Sequence, residues 1–454
     1  MRIIIVGGGI AGLVTALSLH EAGFAPVVRE SARTIDTVGV GINLLPHAVR
    51  ELTELGLGDA LAAIAVPPRR LLYCDRAGAP VWQEPLGTAG GYQWPQYSVH
   101  RGRLQGMLLD AVRERLGPRA VATGLAFRRL RTDGDEVHVE FHDRHHGTSV
   151  TERCDVLVGA DGIDSAVRGQ LHPDEGPVHA NGVHMWRALA PCPPLLDGST
   201  IVVAGGQPGD KFVAYPIGHP RAAGEDTAMN WVLEVRHPEP DAASRLTGRA
   251  VPAEEALAAA ARWHLPWIDL PELVRRSPVI HEYPMMDRDP LPFWTSGRIA
   301  LLGDAAHPMF PMGMNGGSQS VLDARVLAWC LARHGDPVLA LRRYDQERRA
   351  VVNGIVLRNR DLGPEKIIAL ATEGGQELDA AEADAVAHAY RHAARTTAQQ
   401  VNSRPSWTAH RTDRARGSRA QDGGMDAGLK RELEEKVYAG ERLTREDGIA
   451  LYES

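Results

Sequence analysis

The residues near the start of the chain best suited to chemistry are a glycine cluster and one acid. The cluster reads Gly7-Gly8-Gly9-Ile10-Ala11-Gly12, a Gly-x-Gly-x-x-Gly spacing, and the acid is Glu30. Before the cluster stands Ile3-Ile4-Ile5-Val6, a β-branched run that reads as a buried parallel strand. After it Leu13, Ala16, Leu17 and Leu19 recur at helical spacing. Gly7 suits a tight turn, Gly9 lets backbone approach a pyrophosphate, and Gly12 lets helix and strand pack closely. The N–H groups of the helix start, those of Ile10 and Ala11 among them, offer the positive dipole end to phosphates. Pro26-Val27-Val28-Arg29-Glu30 reads as a second strand ending in a carboxylate placed to accept hydrogen bonds from an adenosine ribose. Strand, glycines, helix, strand and acid in this order indicate a dinucleotide site.

Two further stretches repeat the theme. Cys154-Asp155-Val156-Leu157-Val158-Gly159 reads as a buried strand, followed by Ala160-Asp161-Gly162 and a helix start with Ser165 and Arg168. Such strand-to-helix turns carry ligands at the end of a parallel sheet, although Asp161 by itself equally suits a helix cap. Arg298-Ile299-Ala300-Leu301-Leu302 is another buried strand, leading into Gly303-Asp304 and the loop Met309-Phe310-Pro311-Met312-Gly313. Gly316 and Gly317 then open a helix, again an anion-favouring terminus, and Asp304 can bond a sugar or polyol hydroxyl. Two dinucleotide-facing loops from distant parts of the chain predict one ligand spanning a discontinuous domain.

The elements between them must position these loops. Gly39 and Gly41, close together, suit backbone passing a flat ligand or a bulge. Pro46, Ala48, Val49, Leu52 and Leu55 predict a helix. Arg101 or Arg103, at the start of the helix bearing Leu104 and Leu108, either pairs with phosphate or stays solvated. Between His184 and Tyr283 strand-like runs dominate: Ile201–Ala204, Phe212–Tyr215 and Asn230–Val235, with a helix from Glu254 to Trp263. They predict an antiparallel sheet that walls a substrate pocket. Trp186, Tyr215 and Trp231 face an aromatic ligand or, the commoner fate, pack in its core.

The chain has 454 residues and a formal charge of −7, room for two or three domains and no electrostatic footprint for nucleic acid. Its four cysteines, Cys74, Cys154, Cys192 and Cys330, are scattered, which suits a reducing cytoplasm and offers neither a metal site nor a redox pair. No apolar run reaches the length of a membrane span, and the run after Arg2 is explained as strand, turn and helix rather than export signal.

Together the three loop motifs resemble the single-component flavoprotein aromatic hydroxylases, the para-hydroxybenzoate hydroxylase group. A narrower likeness, to a phenazine-carboxylate branch of that family, rests on Val38–Asn43, Gln96–Gly102, Met185-Trp186-Arg187, Ala214–Ile217 and Tyr283-Pro284-Met285, within roughly the first 365 residues. Met314-Asn315 departs from the family's frequent Gln-Gly, and Ser318 lies near its common asparagine. The resemblance implies an α/β fold: a discontinuous Rossmann-like FAD-binding domain (1–70, 100–175 and 284–365), an antiparallel-sheet substrate domain (71–99 and 176–283) and C-terminal helices (366–395). It implies FAD held by the residues named above, with Glu30, Gly41, Asp161, Asp304, Pro311, Gly313, Gly316 and Gly317 among them, Arg101 as a further contact and the Leu125 backbone against adenine. The substrate pocket is expected at Trp186, Tyr215, Phe310, Pro311 and Met312.

The reaction implied uses NADPH or NADH and O2 to hydroxylate an aromatic substrate through a flavin-bound peroxide, with decarboxylation of an aromatic acid in the phenazine branch. The alternative is a flavoprotein dehydrogenase or reductase without oxygen insertion. Because the cofactor carries the chemistry, no protein nucleophile is required and no general base is assigned: His47, His184 and His307 are weighed for that role, but a structural or solvated place is the commoner fate of a lone histidine, His307 above all. Expected partners are the small aromatic, O2 and NAD(P)H, without nucleic acid or a membrane, in a monomer or homodimer. The stretch 396–454 is polar and reads as a poorly ordered, non-catalytic tail, with a helical face at Leu429, Leu433 and Val437.

Overall fold

A computed structural model describes residues 1–36, 39–207, 209–218, 225–236, 249–373 and 379–409. Its first sheet has six strands in the order Thr295–Ser296, Ile299–Leu301, Val156–Gly159, Ile3–Val6, Val27–Arg29 and Val121–Ala122. All neighbours are parallel except the short Thr295–Ser296 edge. Ile3, Ile4 and Ile5 are fully buried, as a central strand covered on both faces must be. Ile4 pairs with Leu157, which pairs with Ile299, so three strands from the start, middle and later chain end side by side. Because they are parallel, the loops after Val6, Gly159 and Leu301 emerge on one edge. The helices Ile10–Glu21 and Gly316–Arg333 follow two of those loops and pack against each other.

The second sheet has eight strands: Arg249–Ala250, Ile280–Asp287, His179–Cys192, Thr227–Arg236, Asp210–Pro216, Thr200–Gln207, Arg70–Cys74 and Pro80–Pro85. It is antiparallel except where Thr200–Gln207 runs parallel to Arg70–Cys74, the strand contributed by an earlier excursion of the chain. One face packs Trp186, Phe212, Trp231 and Leu233 under the helices Ala253–Ala260 and Leu270–Arg275. The other presents Leu71, Tyr73, Trp82, Val203 and Tyr215 to Ile367, Ile368, Ala383 and Ala387 of the C-terminal helices. Gly41–Leu44, Tyr97–His100 and Ala65–Val66 form a small sheet that joins the two large ones.

The reading of 396–454 as a poorly ordered tail is corrected for its first part. Thr397 caps the helix Ala398–Ser403 in a capping box with Gln400, and Val401 and Ala409 are buried. Arg50, itself buried, donates to the carbonyls of Val401 and Arg404 at 2.7 and 2.8 Å. Polar composition concealed this packing because the contacts are backbone groups taken up by a distant arginine. Residues 410–454 lie outside the described residues, as do the readings made on them.

Candidate active site

The first glycine loop has the geometry of a phosphate cradle. Gly7 has φ +107°, and a Cβ there would meet the Ala160 carbonyl of the neighbouring loop. A Cβ on Gly12 would overlap the Gly7 carbonyl oxygen, so helix and strand touch here. Gly9 differs: nothing lies within 4 Å of where its Cβ would stand, so the protein itself leaves open space beside this backbone. The helix after Gly9 and the helix after Asn315 both begin without a side-chain cap, which leaves their amides for an anion. Glu30 accepts from the Gly8 and Ala32 amides at 2.7 and 2.6 Å, tying the second strand to the glycine loop.

The third loop is held from below by a chain of buried polar side chains. His307 Nε2 meets Asp323 at 2.5 Å, Asp323 accepts from Arg348 at 2.8 Å, and Arg348 donates to Gln319 at 2.7 Å. Gln319 donates to Asn315, which donates to Tyr390 at 3.0 Å. Tyr390 donates to Asn359 at 2.7 Å, and Asn359 holds the carbonyls of Phe310 and Met312. Burial raises the Asp323 pKa, but His307 and Arg348 outweigh it and hold the carboxyl below its ordinary value. Arg168 ties the second loop to the third through the carbonyls of Ala305 and Ala306.

Beside this loop lies a cavity of about 650 Å³. Its walls are the sheet residues Leu71, Tyr73, Trp82 and Val203, the loop Gly313–Asn315, and the helix Ala380–Ala393. His47 lines it with both ring nitrogens buried and unpartnered. At the small joining sheet, Gly41 donates to Asn230 Oδ1 at 2.6 Å and accepts from Arg187 at 2.8 Å. The same Arg187 and Asn230 side chains engage the buried Tyr215 hydroxyl beside it. Uncapped helix ends at Ile10 and Gly316 and open space beside Gly9 fit a bound dinucleotide.

A family model for the FAD binding domain matches residues 1–359. The phenazine 1,6-dicarboxylic acid hydroxylase of Lysobacter antibioticus is 44% identical over 396 residues, covering 86% of this chain and 96% of that protein. The chain belongs to the FAD-dependent aromatic hydroxylases. A second relative, 3-hydroxybenzoate 6-hydroxylase 1 of Aquipseudomonas alcaligenes, is 32% identical over 77% of this chain and 85% of its own length. Among solved structures, Klebsiella pneumoniae HpxO complexed with FAD and uric acid aligns with a TM-score of 0.68 at 25% identity, covering 89% of this chain and 97% of its own. The α/β fold with its parallel sheet, antiparallel sheet and C-terminal helices is that of a flavin hydroxylase. When bound, FAD supplies the electron transfer from NAD(P)H and the activation of O2 that such hydroxylases use.

Within this hydroxylase the predicted residues fall in distinct places. Gly7, Gly9, Ile10, Ala11, Gly12 and Glu30 cluster at the first loop, and Asp304 lies across the same sheet edge with its side chain exposed. Arg101 is exposed at the start of its helix, packed against Gly39. Asp161 accepts from Ser165 Oγ and the amides of Ala166 and Val167, and Ser165, the N-cap of the short helix Ala166–Leu171, accepts from the Arg168 amide at 2.9 Å. The Leu125 amide is spent on the Glu30 carbonyl. Gly313 has φ +64° and is covered by Tyr390, while Gly317 stands against Ile42 and Gly316 near Met309.

The residues expected at the substrate pocket, Trp186, Tyr215, Phe310, Pro311 and Met312, are not among those that line this cavity. Trp186 points to the opposite face of the sheet and donates to Glu282, which His184 also engages. Phe310 and Met312 are buried with Val183 and Met285 in a packing cluster, and Pro311 is exposed. Tyr215 is on the correct face but buried against Gly41. Among the residues that line the cavity, sequence reading did not single out Tyr73, Trp82 or Tyr390. Period-two alternation marks Tyr73 as facing with Leu71, but Tyr390 sits in an alanine-rich helix with no local signal.

Burial, with Arg348, Arg404 and Arg50 nearby, lowers the His47 pKa to about 3, so its imidazole is neutral at physiological pH. A neutral ring presents one donor and one acceptor to the cavity. The cavity is also lined by Glu365, which shares Lys211 with Glu234, both at 2.5 Å.

Proposed function

We propose that this flavoprotein hydroxylates a planar, fused-ring aromatic acid of the phenazine-carboxylate class, at or beside the carboxyl-bearing carbon. The observation that carries the reading is the cavity itself. It borders the Gly313–Asn315 loop, has Tyr73 and Trp82 stacked in its wall at 5.5 Å, and ends in an unpartnered neutral imidazole. Its volume, about 650 Å³, is within the range of small-molecule sites. The likeness to a relative named for phenazine 1,6-dicarboxylic acid supports the ring system. Aromatic walls stack on a flat ring, and His47 bonds a polar substituent of it.

The glycine loop from Gly7 to Gly12 and Glu30 hold the ADP portion, with Arg101 and the Leu125 backbone at its edges. Asp161 steadies the second loop and Asp304 holds the ribityl chain. Gly41, Pro311, Gly313, Gly316 and Gly317 flank the ring, where the uncapped helix end favours negative charge. Shielding from water falls to the walls of the cavity. The segments 1–70, 100–175 and 284–365 act as the cofactor unit and 71–99 with 176–283 as the substrate unit, the strand Ile280–Asp287 crossing between them. The site of action is the cytoplasm, as a monomer or homodimer.

In the decarboxylative form the acid, O2, NAD(P)H and a proton become the phenol, carbon dioxide, water and NAD(P)+. The test supplies 18O2 with phenazine-1-carboxylate, the 1,6-dicarboxylate and hydroxybenzoates. The expected product loses carbon dioxide and gains one labelled oxygen. A product that keeps its carboxyl leaves an ordinary ring hydroxylase, and no labelled product from any of these acids overturns the substrate class.

A further inference from the structure

We infer that residues 396–399, held in place by the rest of the segment 396–409, are a wall of the substrate cavity and that Thr397, Ala398 and Gln399 help determine which aromatic fits. The inference rests on the cavity being the substrate site. Thr396 through Gln399 line the cavity directly, as do the sheet residues Leu71 and Val203. This stretch lies beyond the residues matched by the family model, which end at 359. It therefore contributes to the pocket from outside the segment that defines the family.

The segment is fastened on two sides. On one, Tyr92 donates to the Thr396 carbonyl at 2.7 Å. Asn402 donates to the Gly91 carbonyl at 2.8 Å and accepts from the Gln93 amide at 3.1 Å. On the other, Arg50 grips the carbonyls of Val401 and Arg404, and Glu51 accepts from the Trp407 amide at 3.1 Å. The Trp407 ring meets Trp329 edge-on at 5.0 Å, and Arg325 reaches Thr408. Arg50 is 2% exposed, and a buried guanidinium is tolerated only with its donors satisfied. Its carbonyl partners come from this segment, so the segment belongs to the folded enzyme. Arg50 also sits one turn after His47 on the helix Pro46–Glu54. One helix thus fixes both the polar group of the cavity and the wall beside it, which makes Arg50 a positioning residue.

A loosened wall admits water and relaxes shape selection; a tight one enforces both. The side chain of Ala398 is small, so a larger one there projects into space that the substrate needs.

The test uses full-length, FAD-loaded enzyme and three variants: Ala398→Phe, Tyr92→Phe with Asn402→Ala, and Val203→Trp on the opposite wall. The readouts are FAD per chain, the Kd for phenazine-1-carboxylate from the change in flavin absorbance, and hydrogen peroxide released per NAD(P)H oxidised. Ala398→Phe and Val203→Trp are each expected to raise Kd by about tenfold or more with FAD content unchanged. The unfastened double variant is expected to raise the peroxide fraction by about threefold or more through loss of water exclusion. A loss of binding in Val203→Trp alone, with the other two behaving as the parent, retains the cavity as the substrate site and overturns the role of 396–409. If neither wall variant alters Kd, the cavity reading and this inference fall together.

Discussion

The distinction between a glycine that the fold itself requires and one whose Cβ position lies open is visible at single positions. Gly12 has no room for a Cβ because the Gly7 carbonyl occupies it, whereas Gly9 has open space. Asp304 likewise is exposed and has no partner among the described residues. Gly9→Val and Asp304→Ala should therefore fold as apo-protein with near-parental melting temperature and yet purify largely without FAD. Flavin absorbance per chain and apo-protein melting check both halves. A full complement of flavin in both variants would remove these loops from the cofactor site. The same logic explains Trp186: its burial on the far face and its bond to Glu282 make it a packing residue, although its ring type suggests stacking.

At the scale of elements, the loop that faces the cavity is rigid because a helix far along the chain holds it. Tyr390, on Ala380–Ala393, accepts from Asn315 and donates to Asn359, and the latter secures two loop carbonyls. Burial raises its hydroxyl pKa, so it remains a neutral donor across the working range. Tyr390→Phe removes the hydroxyl and leaves Asn315 and Asn359 short of a partner in a buried place. The expected loss is about 1–3 kcal/mol of stability. FAD should also bind more weakly, because the helix start at Gly316 is no longer held in place. Denaturant unfolding and FAD titration of the apo-protein measure the two effects. A stable variant with parental FAD affinity would show that the loop is held without this helix.

Across the whole molecule, the burial of ionisable groups sets how stability responds to acid. His47 is neutral in the folded state with its pKa lowered to about 3, and in the unfolded chain it titrates near 6.5. Between these values the unfolded state binds one more proton than the folded state. Stability therefore rises with pH through this window and falls on acidification by about 1.4 kcal/mol per unit from this group. His47→Gln should flatten the dependence between pH 6 and pH 4 by one proton, measured as the slope of unfolding free energy against pH. An unchanged slope would mean that His47 is protonated, and so partnered, in the folded protein.

Seen at this scale, the parallel sheet and its glycine loops were legible in the amino-acid order because their requirements are local. A β-branched run, a glycine whose Cβ has no place, and a helix start that lacks a cap depend on neighbours only a few residues away. That Ile4, Leu157 and Ile299 stand side by side was also within reach, since each strand ends in a ligand-type loop and parallel strands bring such loops to one edge. The cavity was not legible. Its composition depends on which sheet face Trp186 and Tyr215 occupy, and one residue of register exchanges those faces. Its boundary depends on Tyr390 reaching Asn315, 75 residues away, and on Arg50 holding Val401, 351 residues away. Sequence alone determined the cofactor and the fold that binds it; only tertiary packing decided the walls of the cavity, because those walls are made of contacts between segments whose local patterns carry no trace of one another.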